Sequence, residues 1–276
     1  MTLSTIIRNN PAKQKKVKTK KQKAIAATCA VAFWLLVWHV VSLCVGSELV
    51  LVSPVKVVQT LFTVIFDPDF LKTVWYSAAR ILGGFFTALV LGTVLGWVAS
   101  RFWVIETLLR PITAVIKATP VASFIILVLL WFSGKNLSVI ISMLMVFPVI
   151  YMNVLEGIRS ADEKLLEMAQ VFRLSASKKL LYIYLPAVAP FFVSACSVSL
   201  GLCWKSGIAA EVIGTPDGSV GAVFYQAKIF LQTSELLAWT VVVVAVSVAF
   251  EKLFMLLLRL ILKKLKMEDV LNGKRA

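Results

Sequence analysis

Long apolar segments separated by basic clusters dominate this sequence and restrict what it can fold into. Of its 276 residues, 59% are hydrophobic and 16% are charged, and the mean hydropathy is +0.89. Soluble domains are much less apolar, whereas a helix of about 20 apolar residues matches the bilayer's hydrocarbon layer. The sequence therefore predicts an all-α membrane protein with no room for a soluble catalytic domain.

Six apolar segments are long enough to cross a bilayer as helices. The third is short, so we expect it either to begin earlier, within residues 105–117, or to be broken at Pro120. The first is longer than the core of a typical signal peptide and is predicted to stay uncleaved. The predicted spans are residues 24–45, 75–99, 119–133, 137–157, 187–213 and 235–262.

Lysine and arginine are distributed unevenly between the loops that these spans create. With the N-terminus inside, 23 of the 29 basic residues fall on the inner side and five on the outer side, while Arg80 lies within a span. Because basic loops stay in the cytoplasm, both termini are predicted to be cytoplasmic. The formal charge of +15 thus indicates topology, not nucleic-acid binding, and the basic run 13–23 is expected to touch anionic lipid.

The predicted organisation is one membrane domain, residues 24–262, between basic tails at 1–23 and 263–276. A polar insert near residues 158–186 interrupts this domain. The four cysteines lie in apolar stretches without a CxxC spacing, and His39 is the single histidine. Neither a disulfide framework nor a metal site is predicted.

The insert carries helix signals that a simple loop would not need. Ser160 and Glu163 have the spacing of a capping box. Ser177 is expected to cap a second short helix, which runs from residue 178 until Pro186 opens the next span. Between these signals an apolar stripe recurs at helical spacing, and it consists of Leu165, Met168, Ala169 and Phe172.

A short amphipathic helix of this kind has two interpretations. It can rest on the bilayer or on its own bundle, or it can dock into a groove on a partner protein. The arrangement of a glutamate, a small residue, a turn and a Leu-Pro ending favours the partner.

The insert resembles the EAA loop of ABC-importer permeases, in which a Glu-Ala-Ala triplet precedes a glycine and an Ile-x-Leu-Pro sequence closes the loop. Glu167 and Ala169 match the triplet, and residues 183–186 match the ending. Met168 replaces the first alanine and Arg173 replaces the glycine. If this turn requires a positive φ, arginine costs about 1 kcal/mol relative to glycine.

Further matches, in the same order and spacing, resemble the nitrate/sulfonate/taurine group of these permeases. They are Pro54, residues 77–80, Gly83 and Gly84, residues 120–122, 131–134 and 147–148, Trp204, and residues 210–211 and 218–221.

This resemblance implies a type I importer permease with about six spans in a bacterial inner membrane. Such permeases pair as dimers, here most simply a homodimer, bind a dimer of cytosolic ABC ATPases and receive solute from an extracytoplasmic binding protein. The residues implied in coupling to the ATPase are Glu167, Ala169, Gln170, Arg173, Leu185 and Pro186.

The chain itself contains no Gly-x-x-x-x-Gly-Lys-Ser/Thr sequence for binding nucleotide phosphates. We therefore expect no enzymatic activity and no cofactor in this chain, with ATP and Mg²⁺ held by the partner ATPase.

Charges within apolar segments are costly and mark candidate functional positions. Arg80 is expected either at the outer interface or in a structural ion pair. Lys205 and Glu211 are expected either to pair or gate at the outer face or to contact the solute or its binding protein. We place Trp204 with Lys205 on the pathway. Gly83, Gly84, Gly92 and Gly96 are expected to permit close helix packing.

Two other classes of protein fit the sequence less well. A self-sufficient, ion-gradient-driven secondary transporter often shows two related halves and paired ionisable groups at mid-bilayer, and neither is evident. A membrane enzyme would need clustered His, Asp or Cys. The leading hypothesis is the membrane subunit of an ATP-driven importer for a small solute: nitrate, a sulfonate, taurine or a heterocyclic vitamin precursor.

Overall fold

The computed structural model describes residues 20–264, with side chains from Ile25 onward, and every regular element in this range is a helix. Most of both predicted basic tails lies outside the described residues, so that division stays a prediction. The helices are α1 (Lys20–Val45), α2 (Pro54–Ile65), α3 (Phe70–Arg101), α4 (Trp103–Ala118), α5 (Val121–Leu129), α6 (Gly134–Arg159), α7 (Glu163–Val171), α8 (Ala176–Lys179), α9 (Leu185–Gly214), α10 (Val220–Ile229) and α11 (Thr233–Lys264).

The chain divides into two compact units, residues 1–56 and 57–276. In the first unit, the Ser42 hydroxyl donates to the Leu51 carbonyl over 3.1 Å and closes the turn after α1. The Ser53 Oγ accepts from the Lys56 N–H over 3.3 Å and caps the start of α2. Pro54 occupies the first position of that helix, where a missing N–H costs nothing.

Within residues 20–264, five helices are long and apolar enough to span a membrane: α1 from Ile25, α3, α6, α8 to α9 taken together, and α11. The remaining predicted span, the third along the chain, corresponds to the pair α4 and α5, which meet at an angle of 106°. The predicted break at Pro120 is confirmed, and the helix before it begins earlier than predicted, at Trp103 instead of within residues 105–117. Proline disfavours helical backbone in the residue before it, and Thr119 is accordingly extended at φ −82° and ψ 134°.

Three long helices, α3, α6 and α9, form the core of the second unit. Ile81 and Phe85 from α3, Val146 and Ile150 from α6, and Leu200 from α9 are all buried there. Small residues recur every fourth position along the α3 face that meets α6, at Gly84, Ala88, Gly92 and Gly96.

This contact is a backbone contact. A Cβ atom at Gly84 would lie 2.4 Å from the Val139 carbonyl oxygen, and one at Gly92 would lie 3.0 Å from the Ile150 Cβ. A Cβ atom at Gly83 would meet nothing within 4 Å. The expected packing role therefore holds for Gly84, Gly92 and Gly96, and Gly83 takes no part in it.

The short helix α10 packs between α11 and the ends of α2 and α3. Val220 of α10 is buried with Val64 and Trp239, and the Phe70 and Trp239 ring centres are 5.5 Å apart. With ten residues α10 is too short to cross a bilayer. It therefore folds back on the end of the bundle where α9 finishes.

Candidate functional site

The predicted insert forms α7, but its cap differs from the prediction. The Asp162 side chain accepts from the Lys164 N–H over 2.9 Å and is the N-cap. Ser160 instead ends α6, and its hydroxyl donates to the Gly157 carbonyl over 2.8 Å. The predicted capping box is wrong because α6 continues through Arg159 and leaves Asp162 as the nearest polar residue before α7.

One side of α7 packs against its own bundle. Ala169 is fully buried, with Ala161 and Ile183 beside it and Leu166 and Leu174 around them. A larger side chain at Ala169 would push α7 away from Ile183. The alanine that matches the EAA pattern is thus the inward contact of this helix.

The rest of α7 faces outward. Of the predicted apolar stripe only Ala169 is buried, while Phe172 is 71% exposed and its neighbour Val171 is 78% exposed. Glu167 and Gln170 are exposed as well. An exposed apolar surface bordered by polar residues is typical of a protein–protein contact. The coupling roles of these residues stay predictions.

The turn after α7 has the left-handed geometry that a glycine usually provides. Arg173 has φ +48°, its N–H donates to the Gln170 carbonyl over 3.0 Å, and the Leu174 N–H donates to the Ala169 carbonyl over 2.9 Å. These two bonds define a Schellman motif. The positive φ that would make arginine costly at this position is therefore present, and Arg173 occupies it under strain.

The second half of the insert is more continuous than predicted. Ser175, not Ser177, is the N-cap of α8, and a π-helical turn at Leu180–Tyr184 leads directly into α9. Pro186 lies in the first turn of α9 without breaking the helical path. The wider π turn explains this, since it relaxes the backbone where proline removes a donor. Leu185 and Pro186 are half-buried.

A second candidate site surrounds Glu211 near the end of α9. Its carboxylate is fully buried and accepts from the Ser77 hydroxyl over 2.6 Å and from the Gly221 N–H over 3.3 Å. The same Ser77 oxygen accepts from the Val220 N–H over 2.9 Å. These bonds, the Glu211 cluster, bind α3, α9 and the N-terminus of α10 together, where the helix dipole favours a negative charge.

The cluster has little spare room and one unused acceptor. A Cβ atom at Gly221 would lie 2.2 Å from the Glu211 Cβ, so only glycine lets α10 approach. The second carboxyl oxygen of Glu211 has no hydrogen-bond partner among the described residues, and neither does the buried Ser138 hydroxyl of α6. The sequence singled out Glu211, but nothing in it revealed that Ser77 is its partner.

The other intramembrane candidates do not converge on one site. Trp204 is 4% exposed within the α3–α6–α9 core, whereas its neighbour Lys205 is exposed on a different side of α9. The two therefore do not line the same surface. Lys205 makes no ion pair with Glu211, and the Arg80 guanidinium stacks over the Tyr76 ring at 4.4 Å.

An ion pair that the sequence did not predict joins Arg159 to Glu106. It connects the first turn of α4 to the last residue of α6, directly before α7. The sequence contained one signal for this ion pair, since both charges lie at the same predicted edge of the membrane.

Known proteins resemble this chain along most of its length. The profile of the family described as "Binding-protein-dependent transport system inner membrane component" matches residues 88–267. A putative aliphatic sulfonates transport permease of Bacillus subtilis (strain 168) is 29% identical over 258 residues, which cover 92% of this chain and 93% of that protein.

Two further relatives have similar coverage. A taurine transport system permease of Escherichia coli (strain K12) is 26% identical over 78% of this chain and 80% of its own. A nitrate import permease of Synechocystis is 27% identical over 74% and 76%, respectively.

The strained turn predicts a stabilising substitution. Arg173→Gly should stabilise the turn by up to about 1 kcal/mol, because glycine adopts positive φ without a Cβ clash. Amide hydrogen exchange of residues 160–186 should slow. Arg173→Gln, which keeps the Cβ, should leave exchange unchanged, and equal slowing in both variants would contradict the strain.

The geometry of the Glu211 cluster predicts that the stability of the folded protein depends strongly on the Ser77 hydroxyl. Ser77→Ala leaves the Glu211 carboxylate and the Val220 N–H short of partners, at a cost of about 1–3 kcal/mol for each buried group. The purified protein should melt at a lower temperature, and α10 should exchange its amides faster. Thr87→Ala, which removes a hydroxyl bonded only to the Gly83 carbonyl of its own helix, should change neither. Equal melting temperatures for both variants would contradict the role of Ser77.

Proposed function

We propose that this chain forms the membrane pathway for a small anion and is driven by separate ATPase subunits. The chain belongs to the family of inner-membrane components of binding-protein-dependent transport systems, and within it to the nitrate/sulfonate/taurine group of ABC-importer permeases. The outward surface of α7 is the observation that carries the second part of this proposal.

Docking of α7 into a groove on an ABC ATPase fits its two faces. Ala169 fixes the helix to the bundle, while Glu167, Met168 and Gln170 remain exposed for a partner. Helix-in-groove contacts use such a combination of apolar anchors and polar flanks. In this assembly, ATP and Mg²⁺ bind to the ATPase, and this chain supplies no cofactor.

The path from α7 into the membrane is stiff. The Schellman turn at Arg173 passes the chain to α8, and helical backbone then continues through the π turn and past Leu185 and Pro186 into α9. Displacement of α7 would therefore shift α9 as a rod. ATP binding would favour one arrangement of the bundle and solute release the other.

An anionic solute fits both the relatives and the exposed lysine. Similar permeases are named for aliphatic sulfonates, taurine, nitrate and bicarbonate, and each of these solutes carries an anionic oxygen group. This common feature favours an oxyanion over a heterocyclic vitamin precursor. Lys205 points away from its own core, and an intramembrane cation in that position requires a partner subunit or an aqueous pathway. We place it at the pathway between two copies of this chain.

The proposed orientation puts both termini and α7 in the cytoplasm. The distribution of lysine and arginine supports it. The Glu211 cluster and α10 then lie at the outer end, where an extracytoplasmic binding protein would deliver the solute.

Docking is tested by co-purifying the chain with candidate ABC ATPase and binding-protein subunits of the same organism. Glu167→Ala should reduce assembly or coupled ATP hydrolysis, because it removes the exposed carboxylate of α7. Asp217→Ala, which removes an exposed acid in the loop beyond the other end of α9, should leave assembly with the ATPase unchanged. A wild-type chain that binds no ATPase and takes up solute on an ion gradient would overturn the proposal in favour of a secondary transporter.

The pathway position of Lys205 is tested separately in reconstituted vesicles. Lys205→Gln should lower ATP-driven uptake of the anion at least about tenfold, because it removes one charge-assisted hydrogen bond to the solute. Lys205→Arg should retain most uptake, and Lys228→Gln, at an exposed site on α10, should retain all of it. Unchanged uptake in Lys205→Gln would remove this residue from the pathway.

A further inference from the structure

A cavity lies between the end of α3 and the second half of the insert, at the start of the α8–α9 segment. Its volume is about 360 Å³. We propose that this cavity, the α3–α8 pocket, binds the headgroup of an anionic phospholipid from the surrounding membrane. Its lining residues are Trp97, Arg101, Ala176, Ser177, Lys179, Leu180 and Tyr184.

Two unpaired cations give the pocket its charge. Neither Arg101 nor Lys179 forms an ion pair with any described residue. Lys179 is half-buried, and Arg101 is exposed, with 5.8 Å from its guanidinium carbon to the centre of the Tyr184 ring. A guanidinium and an ammonium beside the Ser177 hydroxyl supply the donors that a phosphate diester accepts.

The level of the pocket matches the headgroup region. The 32 residues of α3 are about 48 Å long, well beyond the roughly 30 Å of hydrocarbon, so its ends reach the polar layer. Arg101 is the last residue of this helix, and Trp97 lies one turn earlier. Aromatic side chains collect at this boundary, and the Trp97 and Tyr184 ring centres are 5.5 Å apart in an edge-to-face contact.

The composition of the lining favours a lipid over a free anion. Phosphate alone would use the two cations and the hydroxyl but not the walls formed by Trp97, Tyr184 and Leu180. A phospholipid uses both, since its glycerol and upper acyl groups continue from the phosphate along apolar surface. Clustered basic residues at the cytoplasmic ends of membrane helices bind anionic lipid in this way.

A lipid bound in the α3–α8 pocket would hold α8 against α3. The α8 helix connects the turn after α7 to α9, so the lipid would hold one end of the rod that carries displacement from α7. We expect ATP-driven uptake to depend on anionic lipid, and this consequence, unlike the binding itself, rests on the proposed function.

Binding is tested on the purified full-length chain without ATPase. The chain is reconstituted in nanodiscs of phosphatidylcholine with one fifth phosphatidylglycerol, released into detergent and examined by native mass spectrometry. Wild type should retain phosphatidylglycerol, and the double variant Arg101→Gln/Lys179→Gln should retain at least about tenfold less. The control Lys164→Gln/Lys178→Gln removes two exposed lysines outside the pocket and should behave as wild type.

Three results would overturn the inference. The first is equal phosphatidylglycerol retention in the pocket and control variants. The second is displacement of the lipid by millimolar inorganic phosphate or glycerol phosphate, which would assign the pocket to a free anion. The third is recovery of phosphatidylglycerol retention when the pocket variant is stabilised by a point substitution elsewhere, which would show that the loss came from unfolding.

Discussion

Backbone contact between α3 and α6 is the constraint on which the rest of this structure depends. Lipid tails are as apolar as leucine, so helices in a bilayer associate through close packing rather than through release of water. Glycines at 84, 92 and 96 allow the α3 backbone to approach α6, and α9 then packs into the angle between them. Both ends of this three-helix core carry the features discussed above: the Glu211 cluster at one end, and the α3–α8 pocket and α7 at the other.

The two ends are connected by one continuous element. From Leu185 to Glu211 the α9 helix rises about 39 Å without interruption. The chain before it is held at the π turn, and the chain after it is held by bonds from Ser77, Val220 and Gly221 around the carboxylate. A helix held at both ends moves as a unit, which is the property that a permease driven from one side requires.

The sequence predicted what local and periodic signals encode. The six spans follow from hydropathy. The left-handed turn at Arg173 follows from the glycine that the family resemblance places at that position. It mispredicted the caps at Ser160 and Ser177, because several hydroxyls compete near a helix end and tertiary packing decides among them. It could not reveal the bond between Ser77 and Glu211, which joins residues 134 positions apart. Likewise, the prediction that Trp204 and Lys205 both lie on the pathway overlooked that adjacent residues on a helix face different sides.

The 106° bend between α4 and α5 has a consequence for solvation. The Ser123 and Phe124 N–H groups donate to the Pro120 carbonyl. The last carbonyls of α4 and the Val121 and Ala122 N–H groups have no partners within their own helices, and Pro120 contributes no donor at the junction. Hydrocarbon cannot satisfy such groups, and irregular backbone at membrane depth occurs only beside protein or water. Wherever the bend lies within the bilayer, its backbone therefore needs protein or water beside it instead of acyl chains, a requirement that no single side chain reveals.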